Sequence, residues 1–265
     1  MHDQDLWTVR LGLVPYEDAR RLQRAVEAAR MEGRIPDVLL LLEHPPTYTK
    51  GRRATPDELP MGEDWYRRQG IDVVDTDRGG RVTYHGPGQL VGYPIVSLRS
   101  LPDRPAPGRA GEGSRIGVVE YIRRMEEVIV GSLRDWDVEA GLIDGLTGVW
   151  TNPERAGLAV PEETGLPVSS AEKIGSIGVH VSRGITTHGF AINVNNDLQP
   201  FEWIVPCGIE ACRMSSVARE LGGEQDLGAF ATTVRDRFGE IYGRAPREVS
   251  ASALAERLGE PLALA

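Results

Sequence analysis

Residues 78–98 read RGGRVTYHGPGQLVGYPIVSL, with five glycines and two prolines set among strand-forming residues. A glycine-rich turn of this kind either cradles a phosphate at a helix start or joins strands, and the two readings lead to different folds. Spacing decides between them. Gly86, Gly88 and Gly92 do not form G-x-G-x-x-G, and the chain continues as a strand where that fingerprint needs a helix N-terminus. RVTYH alternates Val82 and Tyr84 against Arg81, Thr83 and His85, and LVGYPIVSL is again strand-like. The intervening GPG predicts a hairpin-like pair joined by a Gly-Pro-Gly turn. Gly92 and Pro94 inside the second strand predict an edge, a bulge or a close backbone approach.

Outward from this stretch, apolar positions Tyr16, Ala19, Leu22, Val26 and Ala29 recur as on one face of a helix, and DVLLLLEH reads as a buried strand. GIDVVDTDRGG is a strand entering a glycine turn. Helical spacing resumes at Ile116, Val119, Ile122, Met125, Val128, Ile129, Leu133 and Trp136. KIGSIGVHVSRGITTHGFAINVNND gives two more strands, and helical segments close the chain near Asp226 to Tyr242 and Ser252 to Leu258. Strands in hairpins with helices at the ends and once in the middle predict an α+β fold, a mixed and largely antiparallel sheet flanked by helices. The expected organisation is a single domain over residues 1–265, with loop insertions at 100–114 and 151–172.

The composition is that of a soluble globular protein, 40% apolar and 26% charged, with no apolar run of membrane-spanning length. The acidic start MHDQDLW lacks the basic and apolar regions of a signal peptide, so a cytoplasmic location is expected. A net charge of -9 argues against nucleic-acid binding, which rests on neutralising phosphates. No G-x-x-x-x-G-K-[ST] occurs, and the histidines lack H-x-H or H-x-x-x-H spacing. Neither a nucleotide cofactor nor a metal is expected.

Of 30 basic residues, Lys50 and Lys173 are the two lysines and the rest are arginines. An amine can give up its proton in a protein where a guanidinium cannot. Of the two cysteines, Cys207 follows WIV and sits in Pro206-Cys207-Gly208, a turn that lifts a thiol from the core. That is a plausible nucleophile, although a buried inert thiol is the commoner state. At neutral pH a thiol of pKa about 8.5 is a few per cent thiolate, so a nucleophile needs a cationic or basic neighbour. His85, His180, His188 and Lys173 are the candidates, while lone histidines, His44 included, are usually structural.

Taken together, LLEHPPTYTKGRR, DRGGRVTYHGPGQLVGYPIV, KIGSIGVHVSRGITTHGFAINVNNDLQPFEWIVPCGIE and, more loosely, SSVARE resemble the octanoyltransferases of lipoate biosynthesis in order and spacing, from Trp7 to Tyr242. The resemblance implies the fold of the biotin and lipoate protein ligase catalytic domains. It implies octanoyl transfer from acyl-carrier protein to a lysine of a lipoyl domain through a cysteine thioester, without a cofactor. Cys207 is then the nucleophile, and Lys173 the residue that activates it and shuttles protons. The substrate-binding segments it implies are Arg78, Gly79, Gly80, Arg81, Val82, Thr83, Tyr84 and His85, then Ser176, Ile177 and Gly178, then Gly189, Phe190 and Ala191. Val82, Tyr84 and Ile177 are candidate linings for the alkyl chain, with core packing as their alternative. The implied acceptors are lipoyl domains of 2-oxoacid dehydrogenase complexes and the glycine cleavage H protein, met by a monomer. An ATP-dependent lipoate or biotin ligase of the same fold, and a non-catalytic acyl-carrier-binding protein, are the alternatives.

Overall fold

The computed structural model describes residues 5–102, 116–152, 171–206 and 212–259. Most of the two predicted insertions, and Cys207, lie outside the described residues.

β1 (Asp5–Leu13) leads through Pro15 into α1 (Tyr16–Met31), whose predicted apolar stripe is its buried face. β2 (Asp37–Glu43), β3 (Thr47–Lys50), α2 (Glu63–Arg68), β4 (Asp72–Asp75), β5 (Val82–His85) and β6 (Gln89–Ile95) follow. α3 (Val118–Arg134) precedes a hairpin of β7 (Ala140–Ile143) and β8 (Leu146–Thr151). The long hairpin of β9 (Glu172–Ser182) and β10 (Ile185–Asn193) comes next. The chain continues through α4 (Gln199–Glu202), α5 (Val217–Leu221), α6 (Leu227–Tyr242), β11 (Ala245–Glu248) and α7 (Ala251–Leu258).

Eight strands form one mixed sheet in the order β11-β1-β2-β6-β10-β9-β8-β7, parallel where β1 meets β11 and β2 and antiparallel elsewhere. Alternation along β2 shows how helices come to cover both faces. Leu39 and Leu41 enter one core with Met125 and Ile129 of α3 and Phe238 of α6; Val38, Leu40 and Leu42 enter another with Leu22 and Val26 of α1 and Leu254 of α7. The expected α+β class, a mixed sheet flanked by helices, is the observed one. No helix among the described residues is long and apolar enough to cross a membrane.

The predicted hairpin at Gly86-Pro87-Gly88 is corrected. β5 pairs with β3 in a separate three-stranded sheet, β4-β3-β5, while β6 lies between β2 and β10 in the centre of the large one. The turn cannot fold back on itself because other chain fills it. Gly88 donates its N–H to Glu43 at 2.6 Å and accepts the Asn195 N–H at 2.8 Å. GPG is thus a crossing between sheets. Val119 also departs from its predicted place in the α3 stripe, being 73% exposed.

Candidate active site

A cavity of about 570 Å³ draws its wall from both sheets and from the starts of α1 and α3. Period-two alternation decides what β5 contributes. Arg81, Thr83 and His85 face the cavity. Val82 and Tyr84 point the other way, into an aromatic core where the Tyr84 ring lies 5.5 Å from Tyr48 and 5.4 Å from Phe201. They are absent from the cavity wall, which corrects the lining expectation for those two residues.

The residues before β5 are pinned on the wall by backbone contact. Gly79 donates its N–H to the Val179 carbonyl at 2.9 Å, bringing the Arg78–Gly80 turn onto β9 at Ser176, Ile177 and Gly178, all of which line the cavity. The approach is tight enough that a Cβ on Gly178 would lie 2.9 Å from the Gly79 carbonyl oxygen. Arg78 is turned inward, its Nη2 donating to the Thr49 carbonyl at 2.6 Å and to Thr49 Oγ1 at 2.7 Å. Opposite, β10 supplies Gly189, Phe190 and Ala191. An apolar side formed by Val118, Ile122, Leu146, Ile177 and Phe190 faces the cavity as well.

Lys173 opens onto this cavity and is 2% exposed, so it does not snorkel to solvent. Its Nζ donates to the Thr147 carbonyl at 3.1 Å and lies 5.2 Å from the centre of the Trp150 ring, a cation–π arrangement. Its backbone is held by the Arg213–Ser215 segment. Lys173 donates its N–H to the Arg213 carbonyl at 2.8 Å and accepts that of Ser215 at 3.0 Å. Cys207 belongs to the five residues between Pro206 and Cys212 that precede this segment, outside the described residues.

Phenols and imidazoles cluster where α1 begins. His44 Nδ1 contacts the Val14 carbonyl at 2.7 Å, which makes that nitrogen the donor and leaves Nε2 to accept from the Tyr93 hydroxyl at 2.7 Å. The Gln89 amide donates to the Tyr84 carbonyl and to Asn193 Oδ1, so its oxygen faces His85 Nδ1 at 2.7 Å and the imidazole donates there. Burial pushes His44 down to about 4 and His85 well below the ordinary histidine value, so both imidazoles are neutral at pH 7. Burial also pushes the Tyr16 phenol up to about 12. His188 Nε2 pairs with Asp77 at 2.7 Å, and that hydrogen bond holds the Asp77 carboxyl below the usual range. His188 adopts a left-handed backbone, φ +57°, and its Nδ1 is buried with no hydrogen-bond partner among the described residues.

Sequence reasoning passed over Tyr16, Tyr93, Asp77, Thr147 and Gly148. His180 takes no place in the cavity wall, whereas His188 does. The signal that was available is the recurrence of single histidines at strand ends. Among the described residues no group of three or more His, Cys, Asp or Glu side chains is placed to hold a metal ion. A buried amine beside a cavity with one apolar side and one phenol–imidazole end is suited to acyl transfer, with the amine moving the proton.

Residues 15–239 match the family model of the lipoyl protein ligase A/B catalytic domain. The chain is similar to an octanoyltransferase of Acidobacterium capsulatum, 42% identical over 235 residues that cover 88% of each protein. It is 44% identical to an octanoyltransferase of Mycobacterium marinum over 230 residues, 84% of each protein. Among solved structures, a bi-partite lipoate protein ligase from Thermoplasma acidophilum shares the fold, with a TM-score of 0.68, 17% identity, and coverage of 96% of this chain and 90% of that one.

Proposed function

Since the chain belongs to the lipoyl protein ligase A/B catalytic-domain family, we propose that it is an octanoyltransferase, moving an octanoyl group from acyl-carrier protein to a lysine of a lipoyl domain through a thioester on Cys207. The observation that carries this reading is the buried Lys173 amine on the wall of a cavity shared by all three glycine-bearing segments.

In the first half-reaction the Cys207 thiol gives its proton to the Lys173 amine, and the thiolate attacks the donor's thioester carbonyl. The tetrahedral oxyanion needs N–H donors, drawn from the backbone near Cys207 or from the glycine segments of the wall. Collapse forms the Cys207 thioester and expels the carrier thiolate, which takes the proton back from Lys173. One thioester replaces another, so no ATP is consumed. In the second half-reaction the acceptor lysine attacks as a neutral amine and Lys173 takes the proton released as the amide forms. Cys207 leaves as the thiolate, ready for the next donor. The alkyl chain lies along the apolar side of the cavity, where each buried methylene contributes about 0.8 kcal/mol.

The acceptors in this reading are lipoyl domains of 2-oxoacid dehydrogenase complexes and the glycine cleavage H protein. The enzyme works as a cytoplasmic monomer, a single catalytic domain over residues 1–265. Incubation with octanoyl-carrier protein should give a covalent adduct that maps to Cys207 by mass and is absent from Cys207→Ala. No adduct on the wild type, or product formed only with ATP, would sink the reading; the latter marks a ligase of the same fold.

A further inference from the structure

Glu126 is a buried carboxylate to which the scheme above gives no task. It lies on α3, outside every predicted substrate segment, with a side chain 1% exposed. A carboxylate in such a place is costly unless it is hydrogen-bonded. One oxygen takes the half-exposed Arg123 at 3.0 Å; the other takes the Gly148 N–H at 3.0 Å.

The second bond bears on the reaction. The Gly148 N–H and the Thr147 carbonyl belong to one peptide group, and in a trans peptide they point in opposite directions. No peptide bond among the described residues is cis. Glu126 therefore holds one end of a rigid plane whose other end accepts from Lys173 Nζ at 3.1 Å. Gly148 also carries the lysine's stem. At φ +123°, a Cβ there would lie 2.7 Å from Lys173 Cε and 2.6 Å from the Gly175 carbonyl oxygen. Glu126 and Lys173 thus bond to opposite ends of one peptide group.

We infer that Glu126 is a positioning residue for Lys173, fixing the Thr147–Gly148 peptide so that the amine is held at one point on the cavity wall. The inference takes the lysine's task from the proposed octanoyl transfer, while the geometry stands apart from it.

With two lysines in the chain, acetic anhydride labelling read by peptide mass reports Lys173 against Lys50 as an internal reference, independently of turnover. Glu126→Met keeps the volume but cannot accept the N–H. It should raise Lys173 labelling and lower kcat by about 10- to 100-fold, the scale of a misplaced catalytic group. The donor KM should stay within about threefold, since no ground-state contact is removed. Glu126→Gln, whose carboxamide oxygen still accepts, should recover most of both. Glu126→Asp retracts the acceptor while keeping the charge, gives the same direction of change, and decides the matter if the methionine variant does not fold. Unchanged labelling and kcat would overturn the inference, as would a glutamine variant as impaired as the methionine one. Wild type that labels as expected but never acylates Cys207 defeats the octanoyl-transfer reading and leaves the positioning role standing.

Discussion

Lys173 owes its place to groups that arginine could not share. Its Nζ donates to the Thr147 carbonyl and lies over the Trp150 indole, and Gly148 closes against its stem. A guanidinium is wider, and it stays protonated at any working pH. Lys173→Arg should therefore keep the charge and lose the proton transfer, lowering acyl transfer by at least about 100-fold, the lower end of what general acid–base catalysis supplies. Single-turnover decay of pre-formed Cys207 thioester in the presence of acceptor is the measurement; a rate within a few-fold of wild type would remove the lysine from the mechanism. Lys173 was legible in the sequence because arginine fills almost every other basic position. Glu126, Asp77 and Tyr16 were not legible. Each matters through a partner far along the chain, Gly148, His188 and His85 respectively, and a short motif cannot record that.

Strands were easier to find than to pair. β5 was readable from its two-residue alternation, and that alternation correctly separates the cavity-facing Arg81, Thr83 and His85 from Val82 and Tyr84. Its partner was not readable, because β3 is more distant in sequence than the strand across the glycine turn. In β6 the glycine and proline gave a correct hint of close approach. The Phe190 ring lies directly on Gly92, leaving no room for a Cβ. Pro94 is tolerated in a central strand because the Thr186 hydroxyl donates to its carbonyl at 2.7 Å and accepts the Val96 N–H at 3.0 Å. Gly92→Ala forces the ring away from the strand and should cost about 1–3 kcal/mol, the usual penalty of overpacking. Urea denaturation measures it, and Phe190→Leu in the same chain should restore part of the loss. If Gly92→Ala unfolds at the wild-type midpoint, the ring is not held against the strand.

At the scale of the whole molecule, closing the cavity between two sheets buries three imidazoles, and this makes the fold sensitive to mild acid. His44, His85 and His188 are all pushed below the ordinary histidine value chiefly by burial. In the unfolded chain they titrate near 6.5. Above that pH neither state holds the proton and the stability is full. As pH falls below about 6.5 the unfolded chain takes up protons that the folded one refuses, so stability drops until the folded value is reached. For His44, with a folded value of about 4, the loss accumulates to about 3 kcal/mol, at 1.36 kcal/mol per unit of displacement. Asp77 is displaced downward and shifts the balance in the same direction, but its loss comes at lower pH, below the usual carboxylate range. The window between pH 6.5 and 4.5 therefore belongs mainly to the histidines. Urea midpoints at pH 7.5, 5.5 and 4.5 should fall steadily for the wild type. His44→Gln gives up the hydrogen bonds to Val14 and Tyr93 in the geometry an imidazole allows, so it should be less stable at pH 7.5 yet lose less on acidification. Parallel pH dependences for the two proteins would mean that the buried His44 is not what couples this fold to acid.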